Sequence, residues 1–230
     1  YDPEMKQRVS EIYIPLMTDN EIAKIIYNGE NLLNLKFKNS VIKRVLRFSG
    51  GLPSVCHHLC LYMCINNSIY DTLEKQCIFN EEDFDKAVEK YVQSSSDSLK
   101  EIFDKAVKVG RVRKYNNPQE ILKAFLSLGK DGLNHNEILN KIRKTIPNYP
   151  QGNLTTYLKQ LQLPERGAIL RYDANAGIYY FYSPFVKAYA HCVLTKRTKT
   201  KDVDIDFEVP LEDLTKTIDK LLKLKIENDE

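Results

Sequence analysis

The stretch NLTTYLKQLQLPERGAILRYDANAGIYYFYSPF, residues 153–185, carries the change of period that decides the fold. Leu154, Leu158 and Leu161 recur at helical spacing, so they form one apolar stripe on a helix that Asn153 can cap. Beyond Glu165-Arg166-Gly167 the period falls to two. Ile169-Leu170-Arg171-Tyr172 and Ile178-Tyr179-Tyr180-Phe181-Tyr182 read as two strands joined by a turn at residues 173–177. Ser183-Pro184 then opens a last helix that runs to about residue 194.

Two further helices precede this stretch. The first covers residues 118–128, with Ile121, Leu122, Phe125 and Leu126 apolar, and residues 129–132 form a turn after it. The second opens with Asn134 and Glu137, spaced as a capping box, and carries Ile138, Ile142 and Ile146. Helix, helix, helix, hairpin is the winged-helix order, a helix-turn-helix variant. Residues 94–98, four serines and an aspartate, are either a linker or the cap of a leading helix at residues 99–109, and a boundary falls there in both cases.

The block before that boundary reads as wholly helical. Thr18 and Glu21 make a capping box, followed by Ile22, Ile25, Ile26, Leu32 and Leu33 at helical spacing. A second helix covers residues 40–48 and is stopped by Ser49-Gly50-Gly51-Leu52-Pro53. A third starts at Pro53 and runs to about residue 66. A fourth begins at Asn80-Glu81-Glu82-Asp83, with Phe84, Val88 and Tyr91 inward. The expected organisation is mainly α: a helical block at 1–93, a winged helix with its leading helix at 94–198, and a linker with an amphipathic helix at 199–230. The last segment shows Leu211, Leu214, Ile218, Leu221 and Leu222 at helical spacing, a stripe that needs a partner surface.

Composition narrows the function classes. With 230 residues the chain holds one or two domains. A net charge of +3 is far from the strongly basic balance of a dedicated nucleic-acid binder. Five cysteines with no secretory leader suggest a reducing cytoplasm. No run approaches the roughly 18 apolar residues of a membrane span. The chain starts at Tyr1, which suggests a piece of something longer, with N-terminal processing as the alternative.

Two stretches together resemble a known family. Residues 14–61, with Ser49-Gly50-Gly51-Leu52-Pro53 running into a helix, look like the lid of the STAND NTPases. These are signal-transducing relatives of AAA+ ATPases that include immune sensors and bacterial antiviral ATPases. Residues 120–194 look like the winged helix that follows that lid, most clearly in Leu154-Thr155-Thr156-Tyr157-Leu158-Lys159, Glu165-Arg166-Gly167 and Tyr180-Phe181-Tyr182-Ser183-Pro184-Phe185. The resemblance implies a regulatory and oligomerisation module of a nucleotide-gated ATPase. ATP or ADP would sit on an upstream nucleotide-binding domain, and the parent would form a homo-oligomer. Gly51, Leu52 and Pro53 match the family's Gly-x-Pro motif, which lies against adenine and ribose. A glycine allows close approach, and a proline offers an apolar face without a donor. The bland reading of these three residues is a corner between helices. AAA+ initiators carry an arginine just after this glycine; Pro53-Ser54-Val55 has no basic residue, which favours the STAND resemblance.

No Gly-x-x-x-x-Gly-Lys-Ser/Thr occurs, so the sequence holds no phosphate loop and is not expected to hydrolyse ATP or hold a cofactor by itself. His191 is a candidate nucleotide sensor by resemblance and otherwise an ordinary helix histidine. Cys56, Cys60 and Cys64, beside His57 and His58, lack a second ligand pair at zinc spacing and read as core. As an alternative, the chain is the DNA-binding part of an AAA+ initiator or regulator. Lys159, Arg171, Lys196, Arg197 and Lys199 would be its contacts, although Lys159 stands alone on the third helix and any binding is expected to be weak. A protein-interaction adaptor that binds neither nucleotide nor DNA is the third class.

Overall fold

The structure is a computed structural model that describes residues 14–110 and 114–199. The chain is mainly helical among these residues, with nine α-helices and two small sheets. The first helix, α1 (Asp19–Leu33), starts where its chemistry demands. Glu21 N–H donates to Thr18 Oγ1 at 3.4 Å, and Thr18 N–H donates to Glu21 Oε2 at 2.8 Å. Helix α2 (Asn39–Ser49) ends on Gly50 and Gly51, at φ 54° and 78°. These left-handed values favour glycine, and the chain re-enters helix with Pro53 at the first position of α3 (Pro53–Asn66). Helix α4 (Glu81–Ser94) is opened by Asn80, whose side chain accepts from Glu82 and Asp83 N–H.

The first block is not wholly helical. Strands β1 (Leu35–Phe37) and β2 (Cys77–Phe79) pair in parallel, Leu35 opposite Cys77 and Phe37 opposite Phe79. Three-residue strands are too short to display an alternation. A buried carboxylate holds this one in place: Phe37 N–H donates to Glu30 Oε1 at 2.7 Å and Lys36 Nζ to Glu30 Oε2 at 3.1 Å. Around the small sheet, Ile22, Val41, Val45, Phe48, Leu59, Met63 and Phe84 fill the core. Arg44 ties α2 to α4 through Glu81 at 2.5 Å and Asp85 at 2.7 Å, with its guanidinium 4.3 Å from the Phe84 ring centre.

The serine run is a cap. Ser96 Oγ accepts from Leu99 N–H at 3.4 Å and opens α5 (Asp97–Val107), two residues earlier than expected. Next come α6 (Asn117–Leu128), β3 (Gly132–Leu133), α7 (His135–Thr145), α8 (Gln151–Gln160), a single 3-10 turn (Pro164–Arg166), β4 (Leu170–Asp173), β5 (Ile178–Phe181) and α9 (Pro184–Lys199). Strand β3 begins at the last residue of the expected turn and makes the hairpin three-stranded, in the order β3-β5-β4, with Leu133 opposite Tyr179 and Leu170 opposite Phe181. The Asn134–Glu137 capping box forms as expected, at 3.0 and 2.9 Å. Asn153 does not cap α8, which starts after Pro150. Its Nδ2 instead donates to Asn117 Oδ1 at 3.3 Å, an oxygen that also accepts from the buried Tyr149 hydroxyl at 2.7 Å. A polar side chain serves whichever partner burial brings to it, and here that partner is across the interface with α6.

Helix α9 extends to Lys199 rather than stopping near 194, since no glycine or proline interrupts it. The residues Val186, Ala188, Tyr189, Ala190, His191, Cys192, Val193 and Leu194 are all buried. The helix packs against α2 and α4 of the first block and against α5, α6 and β5 of the second. One contiguous hydrophobic core results. Gly167 marks a close approach: at φ 72°, an added Cβ would lie 2.5 Å from the Ile102 carbonyl oxygen of α5. No helix among the described residues is long and apolar enough to cross a membrane. The expected tail helix, residues 199–230, lies outside the described residues except for Lys199.

Candidate functional site

A cleft of about 670 Å³ opens where α2, the α6–β3 turn and α9 meet. Two pairs of nitrogen-bearing side chains face it, Lys43 and Arg47 on α2 and Lys187 and His191 on α9. Each pair is spaced i, i+4, which puts its members on one face of a helix. The Gly50-Gly51 corner and the segment Leu16-Met17 form another wall.

Arg47 joins the two halves. Its guanidinium donates to the carbonyls of Leu126 at 3.1 Å and Ser127 at 3.4 Å, at the negative end of α6. Burial lowers its pKa to about 10, which leaves it charged at neutral pH. His191 stacks on Phe48 of α2, ring centres 4.1 Å apart and planes 19° from parallel. Burial pushes its pKa down to about 3, helped by the positive charges of Arg47, Lys187 and Arg44 and opposed by a hydrogen bond to the Arg47 backbone. It is therefore a neutral imidazole that seats α9 on α2. Lys187 Nζ donates to Asp131 Oδ1 at 2.9 Å and to the Lys130 carbonyl at 3.3 Å. Lys43 is half-buried and makes no ion pair among the described residues.

The residues singled out in the sequence divide into two sets. Gly51 and His191 line the cleft. Leu52 is buried and donates its N–H to the Ser49 carbonyl at 2.9 Å, while Pro53 is exposed at the start of α3; neither lines the cleft. Gly51 is approached closely by the chain itself, because Met17 N–H donates to its carbonyl at 2.9 Å. A Cβ there would lie 2.6 Å from the Met17 oxygen and 2.9 Å from the Leu16 Cβ, at φ 78°. Gly51→Ala should therefore destabilise the fold by about 1–3 kcal/mol and release residues 14–17. Thermal unfolding and proteolysis near Met17 would measure both effects; an unchanged melting temperature would refute the close packing.

Lys159 is exposed on α8, and Arg171 is exposed on β4 with its guanidinium 5.5 Å from the Tyr182 ring centre. Neither lines the cleft. Lys196, Arg197 and Lys199 fall in the last turns of α9, and their side chains lie outside the described residues. Cys56, Cys64 and Cys192 are buried and Cys60 and Cys77 half-buried, all as free thiols. Burial raises the Cys64 and Cys192 thiols, whereas a hydrogen bond from Cys60 lowers Cys56. No group of three or more His, Cys, Asp or Glu positioned for a metal occurs among the described residues.

Sequence reasoning missed Lys43, Arg47 and Lys187. Their i, i+4 spacings were present, but nothing local says that the two helices face each other. No protein-family model, curated protein or solved structure matches the chain.

Proposed function

We propose that this chain is the regulatory module of a nucleotide-gated ATPase of the STAND kind, with α1–α4 as its lid and α6–α9 as its winged helix. One observation carries the reading. Gly51 and His191, 140 positions apart and singled out separately as nucleotide-facing residues, line the same cleft. The element order helix, strand, helix, helix, hairpin, with strand order β3-β5-β4, supports the winged-helix part.

In this reading a phosphate-loop domain holds ATP or ADP, and the module closes over the exposed side of the nucleotide. The two nucleotides act by differential affinity for two arrangements, ADP favouring the closed one and ATP an open one that assembles into a homo-oligomer. Arg47 and the His191–Phe48 stack are the contacts that hold the closed arrangement. Helix α8 offers only Lys159 to phosphates, so DNA binding is not its main work.

Hydrogen exchange on the full-length protein tests the proposal. Amides of residues 16–18, 49–52 and 187–191 should exchange more slowly with ADP than with ATP. Identical rates without nucleotide, with ADP and with ATP would remove the reading.

A further inference from the structure

We propose that Lys187 binds the anionic end of a polyphosphate ligand in the cleft, and that its ion pair with Asp131 is the contact the ligand breaks. The proposal rests on the reading of the cleft as nucleotide-responsive, and adds which residue takes the phosphate and what its binding moves.

The charge of the cleft favours an anion. Its charged side chains are Lys43, Arg47 and Lys187 against Asp19 and Asp131, an excess of one positive charge, with His191 neutral. Lys43 has no ion pair among the described residues, and Arg47 is fixed on the end of α6. A phosphate chain spanning α2 and α9 would satisfy cations that the protein's own carboxylates only partly neutralise.

The Lys187–Asp131 pair is asymmetric. The side chain of Lys187 is 23% exposed and that of Asp131 is 90% exposed. A half-buried ammonium needs an anionic partner, whereas a carboxylate in full solvent regains its hydration when released. Asp131 therefore stands where a ligand oxygen would bind and is the partner that leaves.

Its departure has a direct structural consequence. Asp131 sits in the turn between α6 and β3, and Lys187 also holds the Lys130 carbonyl of that turn. The next residues, Gly132 and Leu133, form the edge strand on Tyr180 and Tyr179. Transfer of Lys187 to a ligand removes two bonds from the turn and loosens β3, so occupancy of the cleft is transmitted to the three-stranded sheet.

Calorimetric titration of the 230-residue chain with inorganic pyrophosphate, and separately with ADP, tests this. Wild type should bind at one site. Lys187→Met, which keeps the aliphatic stem, should weaken binding at least about tenfold. Asp131→Asn should strengthen it, and Lys159→Met, on exposed α8, should leave it unchanged. Circular dichroism establishes that the variants are folded. Exchange at residues 130–133 should quicken when pyrophosphate binds. Tighter binding of ADP than of pyrophosphate assigns the ligand to a nucleotide, and equal affinity assigns it to the phosphate chain alone; both agree with the role of Lys187. Binding by Lys187→Met as tight as wild type overturns the proposal. So does the absence of binding by the wild-type chain, which leaves the module reading to its own exchange experiment with the phosphate-loop domain present.

Discussion

Phe48→Ala should lower the free energy of unfolding by about 3–5 kcal/mol, the cost of truncating a fully packed aromatic side chain. Phe48 is 2% exposed. One face of its ring carries His191 at 4.1 Å, and its edge contact with Phe84 spans 5.2 Å at 89°. Aromatic contacts of this type add about 0.5–1.5 kcal/mol beyond area burial. The loss is not confined to the first block, because the cavity would open between α2 and α9 and leave His191 unsupported. Urea denaturation should show a fall in midpoint with little change in slope. Leu32→Ala, at a side chain 71% exposed, provides the comparison and should stay within about 0.5 kcal/mol. Equal effects of the two substitutions would show that the α2–α9 contact contributes nothing.

The parts of the fold that were legible in advance are those whose cause is local. Thr18 with Glu21 and Asn134 with Glu137 each meet within four residues, so the pattern of residue types carries the geometry. Gly50-Gly51 before Pro53 reads the same way, since left-handed backbone and a helix-starting proline are properties of those residues. Strands β1, β2 and β3 were not legible, because two or three residues cannot show alternation and their partners lie about 40 residues away or more. Asn153 was misread because its amide can serve a helix terminus or a distant oxygen equally well; only the position of Asn117 decides. The site follows the same division. Gly51 was singled out through a resemblance carried by neighbouring residues, whereas Lys43, Arg47 and Lys187 become a group only when α2 and α9 face each other across the cleft.

That arrangement predicts an acid sensitivity with a defined origin. In the unfolded chain the His191 imidazole takes up its proton near the ordinary value of 6.5, and in the fold only near 3. Between those values the unfolded state binds more protons, so stability is fully present above about pH 6.5 and falls as the pH drops. The decline continues to about pH 3, below which this group contributes no further slope. The full span corresponds to about 4–5 kcal/mol, and about 2 kcal/mol of it should already be lost at pH 5. The cause is burial first, then Arg47, Lys187 and Arg44, three positive charges that an imidazolium would have to join. The comparison with His191→Phe isolates this histidine, and between pH 7.5 and 5 Glu21, Glu81 and Glu137, all held below the ordinary carboxylate value, keep their charge. His191→Phe retains a ring against Phe48 and removes the titration. Whatever its stability at pH 7.5, its unfolding free energy should fall less than that of wild type by about 2 kcal/mol over this interval. Equal falls for the two proteins would mean that water reaches the imidazole, and that α9 does not close over α2 as the stack on Phe48 requires.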